Sequence, residues 1–255
     1  MVVINFRSTI EPSYCRRTAL FQPDVSTNVD FIVCGRYLIF MARTRGSRNA
    51  DYEAQRLELA RKATLALQQD GGVNASMREI AEFAGASVTT LRHYFTDREG
   101  LLKAVMECLR ADAAPFLAMA AQPLPGDVRA SLLHFLGGVH VAWFKHGVGK
   151  MYASTLAVGL GSRPVGPSFV NHVLEPLLQT GESLLRQHLE RGELEVGDVR
   201  HASLTLLSPV VLALLHQDSL LGAQCRPLDV SKLLETHVDA FLRAFGRRRG
   251  PQRSG

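Results

Sequence analysis

From Asp51 to Phe245 the apolar positions recur at helical rather than strand spacing. Leu57, Ala60, Thr64 and Leu67 follow an i, i+3, i+7 rhythm, which predicts a first amphipathic helix over about 52–69. Asp70-Gly71-Gly72 ends it, because glycine accepts the left-handed geometry of a helix C-terminus. Ser76, with Glu79 three residues on, has the capping-box pattern and opens a second helix whose apolar face is Ile80, Ala81, Phe83 and Ala84. Gly85-Ala86 makes a tight turn, and Ser87 caps a third short helix reaching about Tyr94. Asp97 is a suitable cap for a fourth, with Leu101, Leu102, Val105, Met106 and Leu109 facing inward. Pro115 is expected to bend or interrupt that helix. Further helices are predicted at about 127–146, 150–160, 168–191, 199–221 and 230–245, with kinks at Pro176 and Pro209. No repeat and no alternating strand pattern follows Met41, so the expected fold class is all-α.

Residues 1–40 read differently. Phe31 to Met41 (FIVCGRYLIFM) is their one strongly apolar stretch, too short to span a bilayer and interrupted by Arg36. Acidic residues, Pro12 and Pro23 precede it, which makes a poor signal peptide. With no other stretch approaching an uninterrupted apolar span, the expectation is a cytoplasmic protein without a membrane segment. Met41 is followed by a small basic run (ARTRGSRN), and Met41 is expected to be the true start, with the first forty residues an upstream extension. The alternative is a short accessory segment, one strand or one helix. The expected organisation is an extension and basic arm over 1–50, a helix-turn-helix domain over 51–96, a helical body over 97–246 and a basic disordered tail over 247–255.

The composition suits this picture. Hydrophobic residues make up 46% and charged residues 21% of the 255, the balance of a globular protein able to bury a sizeable core. Cys15, Cys34, Cys108 and Cys225 are scattered without a CxxC pair, so neither a zinc site nor a disulfide framework is indicated. The net charge of +5 is unevenly placed. Arg43, Arg45 and Arg48 precede the first helix and Arg247, Arg248, Arg249 and Arg253 occupy the tail; without these seven the net charge falls to −2. Basic arms of this kind follow phosphates.

The chemistry concentrates in Arg78 to Leu102, REIAEFAGASVTTLRHYFTDREGLL. Two short helices meet at an Ala-Gly-Ala turn and a capped helix follows at once. Ile80, Leu91 and Phe95 would close a small core with Leu57 and Leu67. That is a helix-turn-helix, in which the second short helix enters the DNA major groove. The order E-I-A-x-x-A-G-x-S-x-x-T-L, followed by F-x-x-[KR]-E-x-L, resembles the TetR family of bacterial regulators, matched here from Glu79 through Leu101. The resemblance is specific over about 52–110 and general beyond. It implies that Val88, Thr89 and Arg92 face base edges, while Ser76, Ser87, Thr90, His93, Tyr94 and Arg98 hold phosphates. Arg78 joins the implied DNA-binding set, and Lys103 is a lesser candidate. Arg92 and Tyr94 stand where the family often has Tyr and His respectively. Because arginine pairs bidentately with guanine, Arg92 predicts a guanine under the recognition helix.

The resemblance also implies a C-terminal body that binds a small-molecule effector and forms a homodimer. The two long apolar patterns, 199–221 and 230–245, can pack against their symmetry mates as a four-helix bundle. Phe116, Met119, Phe135, Trp143, Phe144, Met151 and Tyr152 are the expected pocket lining, suited to a hydrophobic or amphipathic molecule. No cofactor or metal is expected: His134, His140 and His146 are six apart and fall on different sides of a helix. Gly159-Leu160-Gly161-Ser162 lacks a P-loop lysine, and no Ser/His/Asp context is recognisable. The expected function is a repressor released from a palindromic operator by its ligand, not an enzyme. The alternative is a helical carrier or scaffold without DNA function.

Overall fold

A computed structural model describes the backbone of residues 29–34, 37–42, 47–125 and 127–247, and side chains from Ala50 onward within those ranges. Most of the basic arm (Arg43, Arg45 and the Arg48 side chain) and the tail arginines Arg248, Arg249 and Arg253 lie outside what is described, while Met41, the expected start, falls within a described strand. The chain divides into two compact units, Met1–Tyr52 and Glu53–Gly255. The first holds an antiparallel hairpin of β1 (Val29–Cys34) and β2 (Tyr37–Ala42), with Phe31 opposite Phe40 and Ile32 opposite Ile39. The apolar run before Met41 therefore supplies a pair of strands rather than the single strand or helix expected of an accessory segment.

The second unit is helical, as the apolar spacing demands. After α1 (Ser47–Leu67) come α2 (Met77–Ala84), α3 (Val88–Phe95), α4 (Arg98–Ala120), α5 (Val128–Lys145) and α6 (Val148–Gly161). A four-residue α7 (Gly166–Phe169) passes through a π-turn, Val170–Leu174, into α8 (Glu175–Glu190). Then α9 (Val199–Leu214) ends in a second π-turn, Leu215–Ser219, before a short α10 (Gly222–Cys225) and α11 (Val230–Phe245). The all-α expectation holds for this body.

Of the two outcomes expected at Pro115, the interruption does not occur: α4 continues through it to Ala120. At Pro176 the helical run expected over 168–191 changes pitch: the π-turn Val170–Leu174, with the Glu175 N–H donating to the Val170 carbonyl, comes directly before the proline in the opening turn of α8. Pro209 stays inside α9.

The core is continuous from α1 to α11. Around the short helices it comprises Leu59, Ala60, Ala63, Leu67, Ile80, Leu91, Phe95, Leu101 and Val105, and in the body Leu132, Phe135, Leu136, Leu184, Leu185, Leu206, Val210 and Val238. Leu57 and Phe83, expected to face inward, are instead exposed. On α1 the buried face is Leu59-Ala60-Ala63-Ala66-Leu67, a stripe shifted from the one Leu57 defines. The small alanines let α1 lie close to its neighbours. Helix α4 starts at the helix-turn-helix and then packs along α8 and the 170–174 turn, linking the two regions. Helix α8 lies along α9, and α11 packs on α5 and α9. Exposed ion pairs, Arg129 with Asp239 at 2.6 Å and Arg200 with Glu175 at 2.6 Å, join α5 to α11 and α9 to α8. Burial pushes the Cys108 thiol up to about 11, which leaves it inert at neutral pH, whereas Cys225 is exposed.

The α8–α9 approach is closest at Gly181. A Cβ there would lie 2.6 Å from Ser203 Oγ and 3.2 Å from Leu207 Cδ1, and Ser203 is itself held by donating to the Leu178 carbonyl at 2.8 Å. Gly181→Ala should therefore lower stability by about 1 kcal/mol, overpacking of about 1–3 kcal/mol outweighing the helical gain of about 1 kcal/mol. Urea denaturation checks this; an unchanged or raised midpoint would show that the helices separate without cost.

Candidate nucleic-acid interface

Each short helix is set by its ends. The chain leaves α1 through Gly71, whose φ of +76° requires glycine, and a 3-10 turn at Gly72–Asn74. Ser76 then begins α2 with a complete capping box: Ser76 Oγ accepts from the Glu79 N–H at 3.3 Å and the Ser76 N–H donates to Glu79 Oε2 at 2.7 Å. That N–H holds the Glu79 carboxyl below the usual carboxylate range. Gly85, at φ +66°, closes α2, and the Ala86 N–H reaches back to the Ala81 carbonyl at 2.9 Å. Ser87 caps α3, accepting from the Thr90 N–H at 2.9 Å with its hydroxyl 2.8 Å from that of Thr90.

The turn from α3 to α4 is tighter still. Asp97 caps α4 through the Gly100 N–H at 2.8 Å, and any Cβ on Gly100 would fall on the Phe95 carbonyl. Thr96 takes φ 68° and ψ −60° to make this turn, a conformation hard for a β-branched residue. Arg98 binds the assembly together, with Nε donating to the Ala75 carbonyl at 2.9 Å and Nη2 to the Val73 carbonyl at 2.6 Å. The starts of α2 and α4 are thereby fixed side by side. Arg56 lies over the Phe95 ring and pairs with Glu107, while Arg61 grips Asp112 at 2.6 Å, so α1 is tied to α4 from the other side.

Within this frame Leu91 and Phe95 turn inward and Thr89, Arg92 and His93 form one exposed stripe on α3, at i, i+3 and i+4. The Arg92 carbonyl accepts from the Thr96 N–H at 2.9 Å, while its guanidinium has no hydrogen bond or ion pair with the described residues. Val88, expected at base edges, is half-buried against the core, as is Tyr94, whose ring stands 5.0 Å from that of His93. Arg78 is exposed in the first turn of α2, and Lys103 is half-buried on α4. The hydroxyls of Ser76, Ser87 and Thr90 are engaged in capping. Arg98, expected at a phosphate, has two of its donors taken up by carbonyls. The sequence reading missed that bracing role and the strain at Thr96; neither leaves a mark on residue type or spacing. A cleft of about 290 Å³ lies between α1 and the turn, lined by Gln55, Glu58, Lys62, Gly85, Ser87 and Thr90.

The residues expected to line an effector pocket are not gathered in one place. Trp143 and Tyr152 are buried with ring centroids 5.3 Å apart, and Phe169, which the sequence reading left out, stacks edge-on to Tyr152 at 5.5 Å. Trp143 Nε1 donates to Asp218 Oδ2 at 2.9 Å. Phe135 is buried in the body core and Met151 is half-buried. Phe116 and Met119, by contrast, are 68% and 70% exposed near the end of α4, and Phe144 is exposed on α5. Their apolar character is real, but helical phase turns them outward.

Residues 61–105 match the bacterial regulatory proteins of the tetR family. Over 78 residues the chain is 36% identical to the HTH-type transcriptional regulator BetI of Cronobacter sakazakii, covering 30% of this chain and 39% of that protein's length. Solved structures of similar fold include a TetR-family transcriptional regulator from Mesorhizobium loti, with TM-score 0.61 and 20% identity over 80% of this chain and all of that one. GusR of Salmonella enterica gives a TM-score of 0.56 with 18% identity over 74% of this chain and 96% of its own. The helix-turn-helix segment is similar to that of the tetR family of bacterial regulatory proteins, the chain spans about two fifths of the length of the relative it matches, and the helical body shares the fold of these solved structures.

Two substitutions test the local physics. Thr96→Gly should raise stability by about 1 kcal/mol by removing the left-handed strain, whereas Ser76→Ala should lower it by about 1 kcal/mol through loss of the cap. Urea titrations of both variants decide; a Thr96→Gly protein less stable than the parent would show that no strain is stored there. The Glu79 carboxylate gives the cap a pH sign as well. Its pKa is depressed by folding, so its contribution is complete above the ordinary carboxylate range and is lost as pH falls through the lowered value.

Proposed function

We infer that the chain is a homodimeric DNA-binding transcriptional regulator, a repressor released from a palindromic operator by a small-molecule effector. The observation that carries this reading is the exposed Thr89–Arg92–His93 stripe on a helix whose both ends are capped and whose frame is cross-braced. A recognition helix must arrive at the groove already oriented, and this one is held on every side but the outward one. Arg92 supplies the bidentate donor for guanine O6 and N7. Thr89 adds a methyl and a hydroxyl for a neighbouring base edge. Ser76, Ser87 and Thr90 lie at helix N-termini, whose free N–H groups favour phosphate oxygens, and Arg78, His93 and Tyr94 complete the backbone contacts, while Arg98 braces the starts of α2 and α4 behind them.

In the dimer α9 and α11 pack against their copies, and the two recognition helices stand about one DNA turn apart, near 34–36 Å. Helix α4 connects the head to the body, so an effector that moves it changes that separation. The effector is apolar or amphipathic and binds around Trp143, Tyr152 and Phe169 rather than at the outward-facing Phe116, Met119 and Phe144. Reciprocity follows, with operator DNA weakening effector binding by the factor by which effector weakens operator binding. The protein acts in the cytoplasm, where its operator lies.

Selection of binding sites from randomised duplex DNA, repeated over a salt series, tests the reading. A palindrome should be enriched, with affinity falling steeply as salt rises. Arg92→Ala should cost about 1–3 kcal/mol of discrimination at one base pair in each half-site, that pair being a G·C. A folded dimer that enriches no sequence would remove the regulator reading, and an unchanged base preference in Arg92→Ala would remove the assignment of Arg92.

A further inference from the structure

Arg98 stands where the F-x-x-[KR]-E-x-L pattern accepts either basic residue, so a bare positive charge would satisfy the pattern. The structure uses more than charge. Arg98 Nε donates to the Ala75 carbonyl at 2.9 Å and Nη2 to the Val73 carbonyl at 2.6 Å, both from one edge of a planar guanidinium. Among the described residues no backbone N–H bonds either carbonyl, and the guanidinium satisfies both. A lysine gathers its donors on one nitrogen at the end of a flexible stem and cannot reproduce that planar, two-point grip.

The two carbonyls belong to the segment that sets the direction of α2. Val73 lies in the Gly72–Asn74 turn, and Ala75 comes immediately before the Ser76 cap. The turn is confined on two further sides. Towards α1, a Cβ on Gly72 would fall 2.2 Å from the Ala66 carbonyl oxygen. Towards the body, α6 packs on the turn, and Ser162 at the C-terminal end of α6 donates to Glu99 Oε1, next to Arg98, at 3.3 Å. Residues 72–75 are therefore a joint between α1, α4 and α6, and the Arg98 fork fastens that joint just ahead of the first turn of α2. Arg98 is half-buried there, whereas Arg78, Arg92 and His93 are exposed.

We propose that Arg98 serves DNA recognition as a positioning residue rather than as a phosphate ligand. It fixes 73–75 so that α2, and α3 beyond the Gly85 turn, meet the duplex at one angle. This rests on the DNA-binding reading of the preceding subsection. The two roles differ physically. A phosphate ligand acts through its charge, displaces a counterion on binding and is replaceable by lysine. A positioning residue acts through the geometry of its donors, so a lysine keeps the charge, and with it the salt dependence, yet loses the function. A half-buried guanidinium with one edge spent on the protein's own carbonyls fits the second description.

The test titrates the full-length parent, Arg98→Lys and Arg98→Met over a salt series. The probes are the duplex selected from the random pool and a scrambled duplex of equal length. Circular dichroism establishes that each variant is folded, and hydrogen–deuterium exchange reads the amides of 73–80. Both variants should bind the selected duplex about tenfold more weakly, with faster exchange over 73–80. Arg98→Lys should also keep the parent's salt slope and bind the scrambled duplex within twofold of the parent. Full affinity in Arg98→Lys, beside a weakened Arg98→Met whose salt slope falls by about one, would identify a phosphate ligand and overturn the proposal. Unchanged affinity in both variants would overturn it too. So would an equal loss by Arg98→Lys on the selected and scrambled duplexes, or a failure of both variants to fold, since either marks a merely structural role. A folded parent that selects no sequence removes the DNA-binding reading itself, and the positioning role with it.

Discussion

Helices of eight residues do not persist in water by themselves, because the cost of nucleation is never recovered over two turns. Both α2 and α3 are that short, and the helix-turn-helix depends on making them rigid. The burial of Ile80, Leu91 and Phe95 against α1 and α4 supplies the free energy. The capping residues Ser76, Ser87 and Asp97 meet orphan N–H groups that would otherwise favour unravelling. Arg98 then ties the starts of α2 and α4 through the carbonyls of Val73 and Ala75. With the inner face so occupied, the outer face of α3 is left to Thr89, Arg92 and His93.

The body solves a different problem. Its long helices leave Leu204, Leu212, Leu220 and Leu221 exposed, and it must also stay connected to the helix-turn-helix. Helix α4 makes the connection, pinned to α1 by Arg61–Asp112 and Arg56–Glu107 and packed in the body against α8. Two π-turns interrupt otherwise helical runs, one before Pro176 and one at the end of α9. The second places Asp218 against Trp143 Nε1 and hard by Gly149 in the first turn of α6. A carboxylate at that point complements the positive end of α6, which has no side-chain cap of its own. The end of α9 is thereby joined to α5 and α6, so a change around the Trp143–Tyr152–Phe169 cluster has a short path to α9.

Much of this was decided locally, and local decisions are readable. The capping pairs, the Gly71 and Gly85 stops and the helical spacing of Leu101 to Met106 each depend on residues within one or two turns, so the helix-turn-helix and the all-α body were legible from residue order alone. Thr89 and Arg92 on the outer face of α3 were legible too, whereas Val88, expected beside them, is half-buried against the core.

What the tertiary structure decided is which apolar side chains are used, and by what. Leu57, Phe83, Phe116, Met119 and Phe144 have the composition of core but face outward, because helix phase relative to distant neighbours is not encoded in any short window. Arg98 carries the charge of a phosphate ligand, yet its donors go to two backbone carbonyls more than twenty residues away. The strained φ of Thr96 and Leu221 follows from how tightly the flanking helices must turn, and residue type, which favours glycine there, points the other way. Sequence by itself determined where the short helices begin and end and that they form a helix-turn-helix, because caps and turns are local; the packing of distant segments determined which faces remain open, because helix phase depends on neighbours far along the chain.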